Sequence, residues 1–293
     1  MRTNRTTIEK GSLRRAFTLI EILIVITIIA LLIALLIPAI NSVRTSVNIA
    51  GVRTEITALD QALNDFKAKY GVYPPSSITL HNGSSPANAL SNWNNDLASK
   101  TKIQAIWSDF NFSQRIQFAG TSTDIWADGT VLEGPECLVF FLGGVPRTST
   151  TSDLNGFSND ITNPFRTDGA SRTGPFFEFD ISRLASSALS ANSSLSKQPL
   201  VYKDPLPGQS GAYLYASSYN GRGYRDADIG SYMTSAYGQT AGGKWKPKTH
   251  QIISPGYDGL HGLGGTYNPD NTATLGANDK DNITNFVSST LDN

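Results

Sequence analysis

The sequence has a single cysteine, Cys137, among its 293 residues. A lone cysteine excludes an intramolecular disulfide and any metal cluster built from cysteine thiolates. The loops must therefore be held by packing or by oxygen ligands around a hard cation such as Ca²⁺. Cys137 itself lies in the apolar stretch 132–144, where we expect it to act as a small core side chain.

The sequence also lacks a charge imbalance. Lys and Arg together number 24, Asp and Glu also number 24, and charged residues make up only 16% of the chain. This balance gives no reason to expect a nucleic-acid partner or a strongly acidic one. Beyond residue 71 the chain is instead rich in Ser, Thr, Asn and Gly. Such a neutral polar surface suits an extracytoplasmic domain.

Recognisable catalytic motifs are missing as well. The sequence has no G-x-S-x-G element, no P-loop and no G-x-G-x-x-G fingerprint. Its histidines, His81, His250 and His261, fall in predicted loops or strands without a partnering motif. We therefore expect structural histidines and no enzyme. The alternative is a membrane-anchored periplasmic hydrolase, in which the N-terminal region would be a passive anchor.

The chain does contain a long apolar run at residues 17–40, interrupted by one charge, Glu21, and one proline, Pro38. Its length suffices to cross a bilayer as one helix. Basic residues are concentrated before it, so the positive-inside rule places the N-terminus in the cytoplasm and the remaining chain outside. A cleaved secretory signal is the alternative, but its apolar core would be shorter. Because a carboxylate is costly in lipid, Glu21 calls for an explanation.

The sequence RRAFTLIE at residues 14–21, followed by the apolar run, resembles the leader of type IV pilins and type II secretion pseudopilins. The resemblance implies that a prepilin peptidase cuts between Ala16 and Phe17 and methylates the new Phe17 amine. It also implies that Glu21 pairs with the N-terminal ammonium of a neighbouring subunit, since each charge compensates the other's desolvation. Pro38 matches a proline that kinks the helix in this family. Glycine is usual before the cut, where this chain has Ala16.

An apolar stripe continues the helical pattern beyond Pro38. Its members are spaced by alternating steps of four and three, at Val52, Ile56, Leu59, Leu63, Phe66 and Tyr70. Gly71 and the prolines at 74 and 75 predict that the helix ends near residue 70, an ending that also resembles the pseudopilin spine. We therefore predict a basic leader at 1–16 and one spine helix over 17–70, with a globular domain packed on the stripe.

The remainder, residues 71–293, predicts an α+β domain. Its expected elements are a long loop at 76–102, a short buried helix at 132–144, a strand at 174–184, a hairpin from 199–205 and 211–219, and a third strand at 248–256. A long helix packed on a small antiparallel sheet matches the ladle fold of pilins. Relative to that fold, the stretches at about 76–198 and 220–247 are large insertions.

A glycine-rich segment near the C-terminus carries oxygen-bearing side chains at Asp258, Asp279, Asp281 and Asn282. Such groups suit Ca²⁺. The spacing is not that of an EF-hand, and a polar loop with Asx-turns is the alternative. The segment resembles the calcium loop of the major pseudopilin. That resemblance implies Asp258 as the first ligand and Asp281 with Asn282 as the later ones, and an insert leaves the choice between Asp279 and Asp281 open.

These features predict a structural subunit of a periplasmic type II secretion pseudopilus, which polymerises through its N-terminal helix to drive protein export. The resemblance implies several partners and no nucleic acid: prepilin peptidase, further copies of this chain, minor pseudopilins, an inner-membrane assembly platform with its ATPase, and membrane lipid. The chain would be a single-pass inner-membrane protein assembled into a filament. The alternative is a minor or major pilin of a type IV pilus, serving adhesion or DNA uptake. Type IVa pilins close their C-terminal end with a disulfide, so the lone cysteine favours the secretion branch.

Overall fold

The computed structural model describes residues 18–83, 85–148, 153–169, 171–187 and 199–292. The chain divides into two compact units, the first ending at Val47 and the second running from Asn48 to Asn293. The long helix α1 (Leu19–Tyr70) contributes residues to both units. The predicted long N-terminal helix is thereby confirmed.

Helix α1 ends where the sequence predicts. Gly71 has a φ of 79°, a left-handed conformation that glycine adopts without strain. Its amide donates a hydrogen bond of 2.7 Å to the carbonyl of Lys67, which satisfies one of the last free carbonyls of the helix. Helix α1 also contains Pro38 in its interior. The helix therefore does not end at this proline.

The first unit is formed, over its described residues, by the N-terminal part of α1. Its apolar side chains are exposed, with Leu19 at 84% and Leu35 at 68% of their full accessibility. Within the described ranges, α1 is the one helix long and apolar enough to cross a membrane, judged by length and composition. Each such side chain gains about 1.5–3 kcal/mol when it leaves water. We therefore expect lipid or neighbouring helices to surround this part of α1.

The second unit packs its core on the apolar stripe of α1. Val52, Leu59, Leu63 and Phe66 are completely buried. Helix α4 (Gly134–Gly143) covers part of this stripe, and the rings of Phe66 and Phe141 meet edge to face at 5.9 Å between centroids. The predicted short buried helix at 132–144 is thus confirmed. Cys137 lies on α4 and is fully buried, as expected of a core side chain.

An antiparallel three-stranded sheet forms the second half of the core, in the order β11–β9–β7. Two-stranded pairs complete the described sheet structure: β1–β2, β3–β4 and β5–β6, all antiparallel, and β8–β10, which is parallel. The strands are β1 (Ile78–Leu80), β2 (Thr130–Leu132), β3 (Phe157–Ser158), β4 (Arg172–Thr173), β5 (Leu184–Ser186), β6 (Leu200–Tyr202), β7 (Leu214–Ser217), β8 (Ser235–Gly238), β9 (His250–Ser254), β10 (Gly264–Thr266) and β11 (Ile283–Thr284). The long helix with small antiparallel sheets confirms the α+β class and is consistent with a pilin-like fold.

The prediction of a long loop at 76–102 is wrong. This stretch contains β1 and two helices, α2 (Pro86–Asn95) and α3 (Leu97–Ile106). The two helices start at side-chain caps, because Ser85 Oγ accepts the amide of Asn88 and Asp96 Oδ1 accepts the amide of Ser99. Serine and asparagine enrichment had indicated a loop, whereas here these residue types cap and coat two short helices.

The expected strand at 174–184 is also wrong, and the hairpin is only partly correct. Within the described part of this stretch, Asp180 caps a 3₁₀ turn at Ile181–Arg183, and β5 follows. The hairpin segments meet at one bridge between Lys203 and Ala212. Beyond that bridge, β6 pairs with β5 and β7 pairs with β9. The third strand at 248–256 is confirmed as β9, the central strand of the main sheet.

Candidate assembly and metal sites

Glu21 lies in the first turn of α1 and closes a capping box with Thr18. Its Oε2 accepts hydrogen bonds of 2.8 Å from both the amide and the hydroxyl of Thr18. In return, the Thr18 hydroxyl accepts the Glu21 amide at 3.2 Å. The carboxylate therefore satisfies two donors at the helix start. Its other oxygen, Oε1, has no hydrogen-bond partner among the described residues, which leaves it available to a cation.

The other residues predicted for processing and assembly are placed only in part. Ala16 and Phe17, the two sides of the expected cut, lie outside the described residues. Pro38 lies inside α1, in its exposed apolar part. Its contribution to assembly stays a prediction.

Asp279 is completely buried beneath the glycine-rich segment. Its Oδ1 accepts the Tyr237 hydroxyl at 2.7 Å and the Gly264 amide at 2.8 Å, and its Oδ2 accepts the Leu263 amide at 3.2 Å. The backbone wraps closely around this carboxylate, since a Cβ added at Gly262 would lie 2.5 Å from it. Both oxygens of Asp279 are thus used to anchor the loop, which leaves them poorly placed to bind a metal.

Asp281 and Asn282 differ from Asp279 in keeping free oxygens. Asp281 Oδ2 accepts the amides of Tyr257 at 2.6 Å and Asp258 at 3.0 Å. Asn282 donates its amide hydrogens to the Tyr237 hydroxyl at 2.8 Å and the His261 carbonyl at 2.9 Å. Oδ1 of Asp281 and Oδ1 of Asn282 are both buried and have no donor in the described part of the chain. Unsatisfied buried oxygens are costly unless a cation or a donor meets them.

Asp258 lies on the surface beside this pair. Its Oδ1 accepts the Leu260 amide at 2.8 Å, an Asx-turn of the kind expected for a polar loop. Partial burial raises the pKa of Asp258, and the charges of Asp281 and Asp279 raise it further. Lys280, the cation between Asp279 and Asp281 in the sequence, pairs instead with Asp292 at 3.2 Å.

The free oxygens of Asp281 and Asn282 are the kind of ligand that Ca²⁺ prefers. Among the described residues, no three side chains of His, Cys, Asp or Glu are close enough together to hold a metal. A site here would need backbone carbonyls and water besides Asp281 and Asn282, a mixture that Ca²⁺ accepts. The free buried oxygens fit such an ion. Geometry thus favours Asp281 over Asp279 as the ligand.

The comparisons with known proteins bear on the N-terminal site. The family model of the prokaryotic N-terminal methylation motif matches residues 11–37. The chain carries a prepilin-type signal. No curated protein and no solved structure matches the chain. The signal is that of type IV pilins and pseudopilins. It implies processing by prepilin peptidase and, together with the long apolar helix, indicates a membrane-anchored, single-pass protein.

The second unit also contains a polar clamp that sequence reasoning missed. Glu55 on α1 receives both Nη1 and Nη2 of Arg183, each at 2.7 Å. The hydroxyls of Tyr202 and Tyr213 donate to the same carboxylate at 2.9 and 2.7 Å. Burial and the charge of Glu55 raise the pKa of Tyr202 to about 12. No local sequence pattern indicates this clamp, because Glu55 is separated from the other three residues by more than a hundred residues of chain.

The histidines have partners that the sequence did not reveal. His250 Nε2 lies 3.0 Å from Asp60 Oδ1 on α1, and the hydrogen bond from His250 lowers the pKa of Asp60 to about 2. His81 lies 3.3 Å from Asp96. His261 Nε2 lies 2.8 Å from the carbonyl of Ala212, to which it donates. The contacts of His250 and His261 join segments 190 and 49 residues apart, whereas that of His81 spans 15 residues.

Proposed function

We propose that this protein is a structural subunit of a periplasmic pseudopilus of a type II secretion system. The observation that carries the proposal is the prepilin-type signal over residues 11–37, joined to an exposed apolar helix with Glu21 in its first turn. In this role the chain is cut between Ala16 and Phe17 and methylated at Phe17. It then polymerises through α1, with its N-terminus on the cytoplasmic side. The work is mechanical, since an ATPase elsewhere drives assembly and export.

The proposed contact of Glu21 follows from its surroundings. Removal of residues 1–16 leaves an ammonium group on Phe17 that must enter the membrane with its subunit. A lone charge in lipid costs about 2.5–3.5 kcal/mol at a helix centre. The free Oε1 of Glu21 on a neighbouring copy offers that ammonium an opposite charge, and the pair costs less than the two separate ions. Assembly is then favoured over isolated subunits in the bilayer.

The single cysteine supports the secretion branch over the type IVa pilus branch. Cys137 is fully buried on α4, so it is not available for a bond that closes the C-terminal end. In its place we propose a structural Ca²⁺ held by Asp281 and Asn282, with Asp258 as the surface ligand. The two free buried oxygens beneath the loop support this ion.

The experiment that tests the proposal compares the wild-type chain with Glu21→Ala and Glu21→Gln. Expressed with a type II assembly system, the wild type should form short periplasmic fibres, and its intact mass should begin at Phe17 with one added methyl group. Both variants should be cut but should assemble at least about tenfold less, because the contact to the ammonium is lost.

Three outcomes would count against the proposal. Normal fibres from Glu21→Ala would make the apolar region a passive anchor. A chain that keeps residues 1–16 would show that Ala16 blocks the cut. Long fibres on the cell surface under native expression would move the protein to the type IV pilus class instead.

A further inference from the structure

A basic groove lies on the second unit beside the end of α1. We call its three cationic lining residues, Lys102, Arg222 and Arg225, the rim, and its apolar lining residues, Val72, Pro75, Ala98, Ala105 and Ile106, the floor. The Lys102 ammonium donates a hydrogen bond of 2.6 Å to the carbonyl of Ser77. None of the three rim cations has a carboxylate within ion-pair distance among the described residues. The positive charge of the rim is therefore not neutralised by an ion pair.

The rim is held in place by Tyr219. The Arg225 guanidinium lies over its ring at 4.6 Å from the centroid, and the Lys102 ammonium lies at 5.7 Å. The Tyr219 hydroxyl donates to the buried carboxylate of Asp228, which fixes the ring. Tyr219 and the next residue, Asn220, have φ values of 52° and 58°, a conformation that costs free energy in residues with side chains. The strained turn thus presents Arg222 and Arg225 at one rim.

This arrangement argues against a single-stranded nucleic acid as the occupant. Such ligands stack their bases on open aromatic rings. Two cations already lie over Tyr219, and the Lys67 ammonium lies 4.3 Å from the centroid of the Tyr73 ring at the same groove. An apolar floor with a basic rim fits a peptide that carries both acidic and apolar side chains.

The same chain exposes a peptide of that kind, the acidic segment 178–181. Glu178 and Asp180 are exposed and two residues apart, and Ile181 keeps 57% of its accessibility. Asp180 has extended backbone angles, φ −65° and ψ 114°. In extended chain, alternate residues point to opposite sides. Glu178 has no hydrogen bond or ion pair within the described ranges, so its charge, like those of the rim cations, is not neutralised by an ion pair. The Asp180 carboxylate accepts the amide and the hydroxyl of Ser182.

The two surfaces are different patches of the second unit. The acidic segment follows Phe176, whose ring lies 6.0 Å from that of Tyr70, and it precedes Arg183, which is bound to Glu55. The groove is lined instead by Val72, which follows the end of α1 at Tyr70, and by residues of α3. Two different patches that meet between copies give a head-to-tail contact, which repeats along a filament when its rotation does not close.

We propose that the acidic segment of one subunit docks in the basic groove of the next copy in the filament. Glu178 and Asp180 face the rim cations, and Ile181 contacts the apolar floor. The inference rests on the proposed function, because it requires a filament of this chain. Opposite charges at such a contact set its register and exclude like-charged pairings.

The test is a cysteine pair in the full-length chain, Glu178→Cys with Arg222→Cys, assembled into fibres and oxidised with copper phenanthroline. A contact between copies should give a ladder of dimers, trimers and higher species on a non-reducing gel, lost on reduction. Cys137 is fully buried and should contribute no cross-link. The matched control is Glu178→Cys with Ser122→Cys, which places the second thiol at an exposed position away from the groove. The control should remain monomeric.

A charge exchange supplies an independent measurement. Glu178→Arg and Arg222→Glu should each lower fibre yield at least about fivefold, and the combined variant should restore it. Fibres without the ladder, or a combined variant that stays defective with an unchanged melting temperature, would overturn the docking and leave the proposed function intact. Cross-links to a protein of different mass would assign the groove to another partner and would also overturn it. A wild type without fibres overturns both.

Discussion

At the scale of single residues, two buried ionisable groups have opposite effects on stability. Burial raises the pKa of Asp204 to about 6, although the Ser254 hydroxyl and the Leu206 amide donate to its carboxylate. Burial lowers the pKa of His261 to about 4. Neither shift could be predicted from the sequence. Asp204 meets Ser254 and His261 meets Ala212 only because the sheet brings distant segments together.

The signs of the two effects follow from linkage. The folded state holds the Asp204 proton more tightly than the unfolded state. Its contribution to stability is therefore complete below about pH 4 and is lost as the pH rises through about 6. The neutral form of His261 is favoured in the folded state, so its contribution is complete above about pH 6.5 and is lost as the pH falls through about 4. Between these values the two contributions oppose each other.

We therefore predict that the free energy of unfolding depends more steeply on pH in Asp204→Asn than in the wild type, in which the two contributions oppose each other. Its free energy of unfolding should rise by up to about 3 kcal/mol from pH 4 to pH 6.5, because the contribution of Asp204 that opposes that of His261 is then absent. His261→Gln should show the opposite slope. Urea unfolding of the detergent-solubilised chain, followed by tryptophan fluorescence at several pH values, measures both. Parallel curves for the wild type and the two variants would exclude this coupling.

At the scale of elements, the Glu55–Arg183 clamp ties α1 to the strands of the second unit. The two side chains keep only 17% and 21% of their accessibility, so removing one partner leaves a charge with little water. We expect Arg183→Ala to lower the free energy of unfolding by about 3 kcal/mol. Arg147→Ala is the matched control, because its pair with Asp153 is largely exposed and should contribute less than about 1 kcal/mol. Equal losses in the two variants would contradict the clamp.

The sequence predicts those elements whose signals are local. Helix α1 has a long apolar stripe and a Gly-Pro ending, and α4 has an apolar run between a proline and two glycines. Strand β9 has two adjacent isoleucines that are followed by a proline and a glycine. Helix α2 was not predicted because it buries only Ala89 and Trp93, and most of its other side chains are polar. The expected strand at 174–184 fails because Phe176, Phe177 and Phe179 pack against the core as side chains of an irregular segment, in which the rings of Phe177 and Phe179 also contact each other.

At the scale of the whole molecule, the two candidate sites differ in how far the sequence could describe them. The prepilin-type signal and Glu21 lie within one continuous stretch, so pattern alone locates them. The proposed metal site depends on which carboxylate oxygens remain free after folding. The Tyr237 hydroxyl and two backbone amides donate hydrogen bonds to the two oxygens of Asp279. One buried oxygen of Asp281, in contrast, has no donor among the described residues. Spacing could not distinguish these two aspartates, because their partners come from other segments.

Because Asp281 keeps a free oxygen, we predict that Ca²⁺ raises the melting temperature of the full-length chain in detergent. Ca²⁺ at about a hundred times its dissociation constant should stabilise the fold by about 2.7 kcal/mol. For a domain of this size that is a rise in melting temperature of about 5–10 °C, measured against the same protein in chelator. Asp281→Asn should abolish the rise, because it removes the charge of the proposed ligand. Mg²⁺ should substitute poorly, since it demands a smaller, octahedral set of ligands.

Asp279→Asn distinguishes a metal ligand from a structural anchor. Because both Asp279 oxygens already accept donors from the loop and from Tyr237, this variant should melt at a lower temperature with and without calcium. It should nevertheless keep the calcium-induced rise. If Asp279→Asn instead loses the rise while Asp281→Asn keeps it, the ligand assignment is reversed. If the wild type melts at the same temperature in calcium and in chelator, the free oxygens of Asp281 and Asn282 hold no ion. The loop is then a set of Asx-turns stabilised by its own amides.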